Sequence, residues 1–219
     1  MGTITRSFAN NITTSGVLLP ASLTNNSIAN VTAYNAAIVT GGMVLISSQT
    51  ASASASISFT TGIDSTYKEY QFYFINCHPA TNSVDFQFNM STDGGSNYNV
   101  TKTSTFFASF HGENDVTNTL SYRTSYDLAQ STGFQPLMED FDASNNDGSG
   151  SGTLTIFNPS STTYVKHFIS NLNNAHEGDF SINVFTAGYG NTTSAVNAVQ
   201  FKFASGNIDD GTILMYGIV

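Results

Sequence analysis

The sequence predicts an all-β protein, an antiparallel β-sandwich of jelly-roll type that follows an extended N-terminal arm. Along residues 43–219, short segments alternate between apolar and polar residues, and this period of two places the apolar side chains on one face of a strand. Gly, Asn, Asp and Ser separate these segments at short intervals, as they do in all-β proteins. No stretch carries the apolar stripe that an amphipathic helix needs.

The first three predicted strands differ in character. Residues 43–46 are continuously apolar, which predicts a short buried strand. Residues 51–59 alternate between serines and apolar residues, mostly alanines, which predicts a close-packed edge or interface strand. Residues 67–77 are aromatic and apolar on both faces, which predicts a central position in a sheet or contact with a neighbouring subunit. One face holds Tyr70, Phe72 and Phe74, and the other holds Tyr73, Ile75 and Cys77.

The middle of the chain predicts six further strands, at residues 83–90, 103–110, 116–126, 152–158, 164–171 and 180–187. After the first of these, Asp93, Gly94 and Gly95 favour the positive φ values of a tight hairpin turn. Residues 130–150 lack a regular period and predict a long irregular loop, a kind of segment that is often functional.

Residues 196–219 predict two strands joined by a turn, a hairpin that closes the domain. The second strand is an almost continuous apolar run, so we expect it to be buried in the core or against a neighbouring subunit. Its candidate contacts, in the core or in a trimer, are Ile213, Met215 and Tyr216.

Residues 1–42 differ from the β-domain at 43–219. Short apolar clusters lie among Asn, Ser and Thr with neither a helical nor a strand period, so this segment cannot bury much apolar surface by itself. Gly41 and Gly42 mark its end. We interpret it as an arm that docks on another surface, with a frayed leader as the alternative. Its candidate docking or inter-subunit residues are Phe8, Ile12, Leu18, Leu19, Leu23 and Ile28.

Composition argues against several classes of partner. The chain has six Lys and Arg, scattered along it, and a net charge of −9, so it has no basic stripe for nucleic-acid phosphates. An anionic membrane surface is disfavoured for the same reason. No apolar run reaches the roughly 18 residues that cross a bilayer, and no signal-peptide pattern opens the chain, so we expect synthesis in a cytoplasm without membrane insertion.

The sequence predicts no catalytic, cofactor-binding or metal-binding site. The four histidines lack metal-ligand spacing, the single Cys77 excludes a cysteine cluster, and nucleophile-elbow and phosphate-binding motifs are absent. Paired carboxylates for glycoside hydrolysis stay open as an alternative, without a motif to support them. Asp140, Asp142, Asn146 and Asp147 offer oxygen ligands for Ca²⁺, but not at the EF-hand spacing, and we interpret their segment as a solvated acidic loop.

Several short motifs resemble those of a known class of proteins. ASGNI at 204–208 and GTILMYGI at 211–218 are similar to the ending of a broad group of tailed-bacteriophage structural proteins. Further matching pieces, in the same order, are YKEYQF at 67–72, HPAT at 78–81, MSTDGGS at 90–96 and AGY at 187–189. The resemblance covers about residues 50–219, and residues 1–42 carry no clear match.

The resemblance implies a non-enzymatic component of a phage virion, usually a homotrimer, without a cofactor. We favour a tail-fibre or adhesion protein that docks on other virion proteins through the arm. One alternative is a capsid-decoration protein, either a cement protein or a head fibre. Another is a carbohydrate-binding module that recognises a host surface glycan through Asn in the loops at 111–115, 139–147 and 173–179.

Overall fold

The computed structural model describes residues 42–144 and 147–219. Within these residues there are twelve strands and no helix, so the prediction of an all-β protein is confirmed. The strands are β1 (Met43–Thr50), β2 (Ile57–Phe59), β3 (Glu69–Pro79), β4 (Phe86–Ser91), β5 (Lys102–Gly112), β6 (Asn118–Tyr122), β7 (Gln135–Met138), β8 (Gly150–Phe157), β9 (Lys166–His176), β10 (Phe180–Gly190), β11 (Ala198–Phe203) and β12 (Ile208–Ile218).

The strands form two antiparallel sheets, as the predicted sandwich requires. The large sheet has eight strands in the order β1-β12-β3-β8-β9-β10-β5-β6, and the small sheet has four in the order β2-β11-β4-β7. Aromatic residues of the two sheets pack against each other in the core. Phe201 of β11 lies 5.1 Å from Phe72 and 5.0 Å from Phe74 of β3, measured between ring centroids.

The predicted C-terminal hairpin is wrong, although both of its strands exist. β11 pairs with β2 and β4 in the small sheet, whereas β12 lies between β1 and β3 in the large sheet. The turn between them therefore carries the chain from one sheet to the other. The predicted hairpin at Asp93, Gly94 and Gly95 fails in the same way, because β4 and β5 belong to different sheets. Turn residues reverse the chain, but they do not specify which sheet receives the next strand.

Strand β3 occupies the predicted central position, with β12 on one side and β8 on the other. Tyr70, Phe72 and Phe74 point into the core as expected. Cys77 was predicted on the opposite face but is fully buried with them. Its side chain changes face because Asn76 takes a φ of 49° and the register with β8 shifts between Phe74 and Cys77.

Three other local predictions are corrected by the structure. β1 is an edge strand, so Met43 and Leu45 are 42% and 52% exposed where burial was expected. The alternating run at 51–59 is no continuous strand: Ala53 has a φ of 49°, and the run yields an isolated bridge at Ser54 and then the short edge strand β2. The supposed irregular loop at 130–150 contains β7, all four residues of which are buried.

Candidate functional site

Three loops that were separate in sequence meet at one end of the sandwich. The Glu113 amide donates to the Asp179 carbonyl at 3.0 Å, and the Glu177 amide donates to the Asp140 carbonyl at 3.1 Å. A third bond runs from the Asp142 amide to the Ala175 carbonyl at 3.1 Å. These backbone hydrogen bonds join the described parts of the loops at 111–115, 139–147 and 173–179, which the sequence nominated as carbohydrate-binding loops.

A cavity of about 340 Å³ opens beside these loops. Its wall combines aromatic rings, hydroxyls and charged groups from β5, β6, β9, β10 and the segments that follow β5, β6 and β7. The lining residues are Phe110, Thr117, Thr119, Arg123, Asp140, His176 and Phe180. This mixture of an apolar wall and a few polar groups is typical of small-molecule sites.

Arg123 is fixed by a buried carboxylate and two rings. Its Nη2 donates to Glu139 Oε2 at 2.6 Å, and the Glu139 side chain has no exposed surface. The guanidinium lies 5.1 Å from the Phe110 ring centroid and 5.4 Å from that of Tyr126. About a third of the Arg123 side chain remains exposed at the cavity. A charged pair and two cation–π contacts therefore hold this donor group in place.

Asp140 is the acceptor at the cavity wall, and its neighbours orient it. The Tyr126 hydroxyl donates to its Oδ2 at 3.3 Å, and His176 Nε2 lies 3.6 Å from the same oxygen. The Gly178 amide donates to His176 Nδ1 at 2.9 Å, so the neutral imidazole carries its proton on Nε2, facing Asp140. Asp140 also has a φ of 44°, a left-handed conformation that Asp adopts more readily than most non-glycine residues.

Burial perturbs the carboxylates behind the cavity wall. It raises the pKa of Glu139, although Arg123 opposes this shift. Burial also raises the pKa of Asp85 to about 6. The Asp140 amide, which donates to Asp85 Oδ1 at 3.2 Å, opposes this shift. Two poorly hydrated carboxylates, Glu139 and Asp85, therefore lie behind the wall, and Asp140 lies at the cavity itself.

We expect Asp85 to make the stability of the protein depend on pH. Because its folded-state pKa of about 6 lies above the ordinary 3.8, the folded state holds the extra proton between these values. The free energy of unfolding should thus fall as the pH rises from about 4 to about 6, by roughly 1–3 kcal/mol. Asp85→Asn keeps the acceptor for the Asp140 amide and should remove this part of the decrease. Urea unfolding of both proteins at several pH values measures the difference, and parallel profiles would contradict the prediction.

The sequence interpretation missed the centre of this site. Residues 139–142 were interpreted as part of a solvated acidic loop, but Glu139 and Phe141 have no exposed surface. Phe141 offered the one available signal, since an aromatic residue within an acidic run indicates that the run turns inward. Arg123 and Tyr126 carried no comparable signal. Of the Ca²⁺ candidates, Asn146 lies outside the described residues, and no described group of three or more His, Cys, Asp and Glu side chains could hold a metal ion.

The remaining predicted site residues fall in two groups. Ile213 and Met215 of β12 lie in the hydrophobic core with no exposed surface, whereas Tyr216 points to the other side of the large sheet, 5.5 Å from Tyr73. The candidate docking residues of the arm lie outside the residues that the structure describes: Phe8, Ile12, Leu18, Leu19, Leu23 and Ile28.

A second candidate surface is the side of the large sheet that points away from the small sheet. We call it the outer face and define it by the outward side chains at 69–75, 103–111, 153–157, 167–175, 181–189 and 212–218. Ile75, Phe107 and Ile169 are exposed on it, and Phe107 stacks on Phe185 at 5.2 Å. Within these ranges Glu69 is the one outward carboxylate, and no Lys or Arg points outward.

No bilayer-spanning helix occurs in the described part of the chain. Comparisons of the chain with protein-family models, with curated proteins and with solved structures give no match. The resemblance to phage structural proteins therefore stays a prediction from the sequence motifs.

Proposed function

We propose that this protein is a non-enzymatic structural component of a bacteriophage virion that assembles as a homotrimer through the outer face. The motif resemblance supports the class of protein. The observation that carries the proposed assembly is the outer face itself, which is nearly uncharged and bears exposed apolar side chains. Within this class we favour a tail-fibre or adhesion protein that docks on other virion proteins through the arm at 1–42.

The distribution of charge favours a second copy of this chain as the occupant of the outer face. With a net charge of −9, two copies repel each other over most approaches. Because the outer face carries one carboxylate and no Lys or Arg within its defined ranges, it lets copies meet with little repulsion. It also offers a strongly charged partner no ion pairs. A neighbouring copy presents the same neutral Asn, Ser, Thr and aromatic groups, so contact with it leaves few charges unpaired.

The size of the outer face also suits subunit contact. Six neighbouring strands at about 4.8 Å spacing, each with roughly nine residues at about 3.3 Å, span roughly 30 Å in each direction. The resulting area is on the order of 800 Å², which is what one partner of a standard protein interface buries.

We expect a charge placed on the outer face to dissociate the trimer. Ile169 lies on β9, between β8 and β10, and is 55% exposed, so Ile169→Asp adds repulsion at little cost to the core. Tyr164→Asp is the matched control, because Tyr164 is an exposed residue in the loop before β9, outside the outer face. Sedimentation equilibrium over a concentration series should give trimers for the wild type and the control, and monomers for Ile169→Asp. A wild type that is not trimeric, or an unchanged mass for Ile169→Asp, would overturn the proposal.

Labelling of the intact particle with antibodies against this chain tests the rest of the proposal. Label on the tail supports a fibre or adhesion role. Label on the head would replace that role with capsid decoration, and particles without label would remove the protein from the virion.

A further inference from the structure

We infer that the cavity between Phe110, Arg123, Asp140 and His176 is a binding site for an uncharged saccharide unit. This inference concerns a site within one chain and does not require the assembly proposed above. It rests on the hydrogen-bonding groups of the wall, its aromatic side, its charge balance and its rigidity.

The hydrogen-bonding groups of the wall match a polyol. A sugar hydroxyl both donates and accepts, so a sugar site needs acceptors and donors side by side. Asp140 supplies a carboxylate that is 30% exposed, and Arg123 supplies N–H donors beyond the one engaged by Glu139. Thr117 and Thr119, which also line the cavity, add hydroxyls that can serve in either role.

The aromatic side of the cavity suits the apolar face of a pyranose. Phe110 and Phe180 stand perpendicular to each other with ring centroids 6.5 Å apart, and the His176 ring lies 5.6 Å from Phe180. Together they form an apolar corner beside the polar groups. The cavity volume of about 340 Å³ is near the lower end of the roughly 300–1,000 Å³ of small-molecule sites, which fits a ligand of one or two sugar rings.

Charge balance disfavours an ionic ligand. Arg123 is already paired with the buried Glu139, and Asp85 and Asp140 add further negative charge, so a phosphate or carboxylate group would meet net repulsion. A cationic ligand near Asp140 would lie beside Arg123 on the same wall. A neutral sugar avoids both penalties while it uses the same donors and acceptors.

The polar groups are held before any ligand arrives. Glu139 and the Phe110 and Tyr126 rings fix Arg123, and Tyr126 and His176 flank Asp140. The Asp140 backbone is anchored as well, because its amide donates to Asp85. Such a prearranged site loses little conformational entropy on binding.

The inference is tested by titrating the full-length protein with sugars while recording ¹H–¹⁵N correlation spectra. The probes are glucose, galactose, mannose and N-acetylglucosamine, with N-acetylneuraminic acid as the anionic comparison. We expect saturable shifts at Thr117, Thr119 and His176 with at least one neutral sugar, at a Kd on the order of 1 mM. Absence of saturable shifts for all four neutral sugars, or tighter binding of the anionic sugar, would overturn the inference.

Two variants and two controls locate the binding. Asp140→Asn replaces a charged acceptor with a neutral one, and Thr119→Val removes a hydroxyl. Each should weaken the affinity about tenfold or more, which corresponds to roughly 1.4 kcal/mol. Thr119→Val changes an exposed side chain, so the test does not depend on the folding of Asp140→Asn. Asp115→Asn, at an exposed position in the neighbouring loop, should keep the wild-type affinity. Unchanged affinity in both site variants would overturn the assignment.

Ile169→Asp serves as the second control and separates this inference from the proposed assembly. It should bind sugar like the wild type whatever its oligomeric state. If sugar binding fails while the wild type is trimeric, only the saccharide site is wrong. If the protein binds sugar but the wild type is not trimeric, only the proposed assembly is wrong.

Discussion

A chain that lacks residues 213–219 is expected not to fold cooperatively. The deletion removes most of β12, which pairs with β1 on one side and β3 on the other. The deletion breaks the pairing of β12 with both of its neighbours. Strand β1 thereby loses its only strand neighbour in the described sheet. Ile213 and Met215 are fully buried, and each contributes about 1.5–3 kcal/mol through burial. With the lost backbone pairing, the total approaches the 5–15 kcal/mol that typically stabilises a domain.

Circular dichroism during thermal unfolding measures this effect. Two point variants calibrate it within the same strand. Ile213→Ala removes a core side chain and should cost about 2–5 kcal/mol in the free energy of unfolding. Leu214→Ala changes a partly buried side chain on the outer face and should cost clearly less, so it controls for general damage to β12. A truncated protein that still melts cooperatively near the wild-type temperature would show that β12 is dispensable.

Phe201→Ala is expected to be the most destabilising single core substitution that we propose. The Phe201 ring lies at the centre of an aromatic cluster that joins both sheets. Its centroid is within 5.0–6.5 Å of those of Phe59, Phe72, Phe74, Phe86 and Phe88. Because five rings surround the site from β2, β3 and β4, the cavity left by the substitution cannot easily collapse. We expect a loss of about 3–5 kcal/mol in the free energy of unfolding.

Phe134→Ala is the matched control for this substitution. Phe134 is also a phenylalanine, but it is only partly buried, and Lys202 Nζ lies 4.5 Å from its ring centroid. Its loss should cost roughly 1 kcal/mol, because a cation–π contact and limited packing are removed. Guanidinium unfolding of the two variants measures the difference, and equal losses would contradict a central role for Phe201.

The strands themselves could be predicted because their signal is local. β3, β9 and β10 alternate clearly, and their core-facing residues follow the predicted period almost throughout. The exceptions lie where a bulge changes the phase of this alternation. A single left-handed residue, Asn76, moves Cys77 to the other face, and no composition signal announces such a shift. Strand β7 was hidden for a different reason, because its four buried residues include Gln135 and Pro136, which do not resemble a core strand.

The candidate site could be predicted only in outline. Three loops were nominated for their polar residues, and hydrogen bonds between their backbones bring them together. Arg123, which is central to the proposed saccharide site, lies outside these loops. Asp140 was interpreted as part of a solvated acidic loop. Arg123 follows β6, and its pairing with Glu139 joins positions 16 residues apart across a buried contact. Such pairings depend on the path of the chain, which local patterns do not encode.

The division between sequence and structure follows from the range of the interactions. Alternation, turn composition and low charge act over a few residues, and they were sufficient to predict an all-β sandwich without helices among its described elements. Strands pair with partners that lie far away in the sequence. The same turn residues are therefore compatible with a hairpin and with a connection between the two sheets. Only in the folded protein do β11 and β12 separate into opposite sheets. The same fold brings Arg123 and Asp140 together at the wall of one cavity.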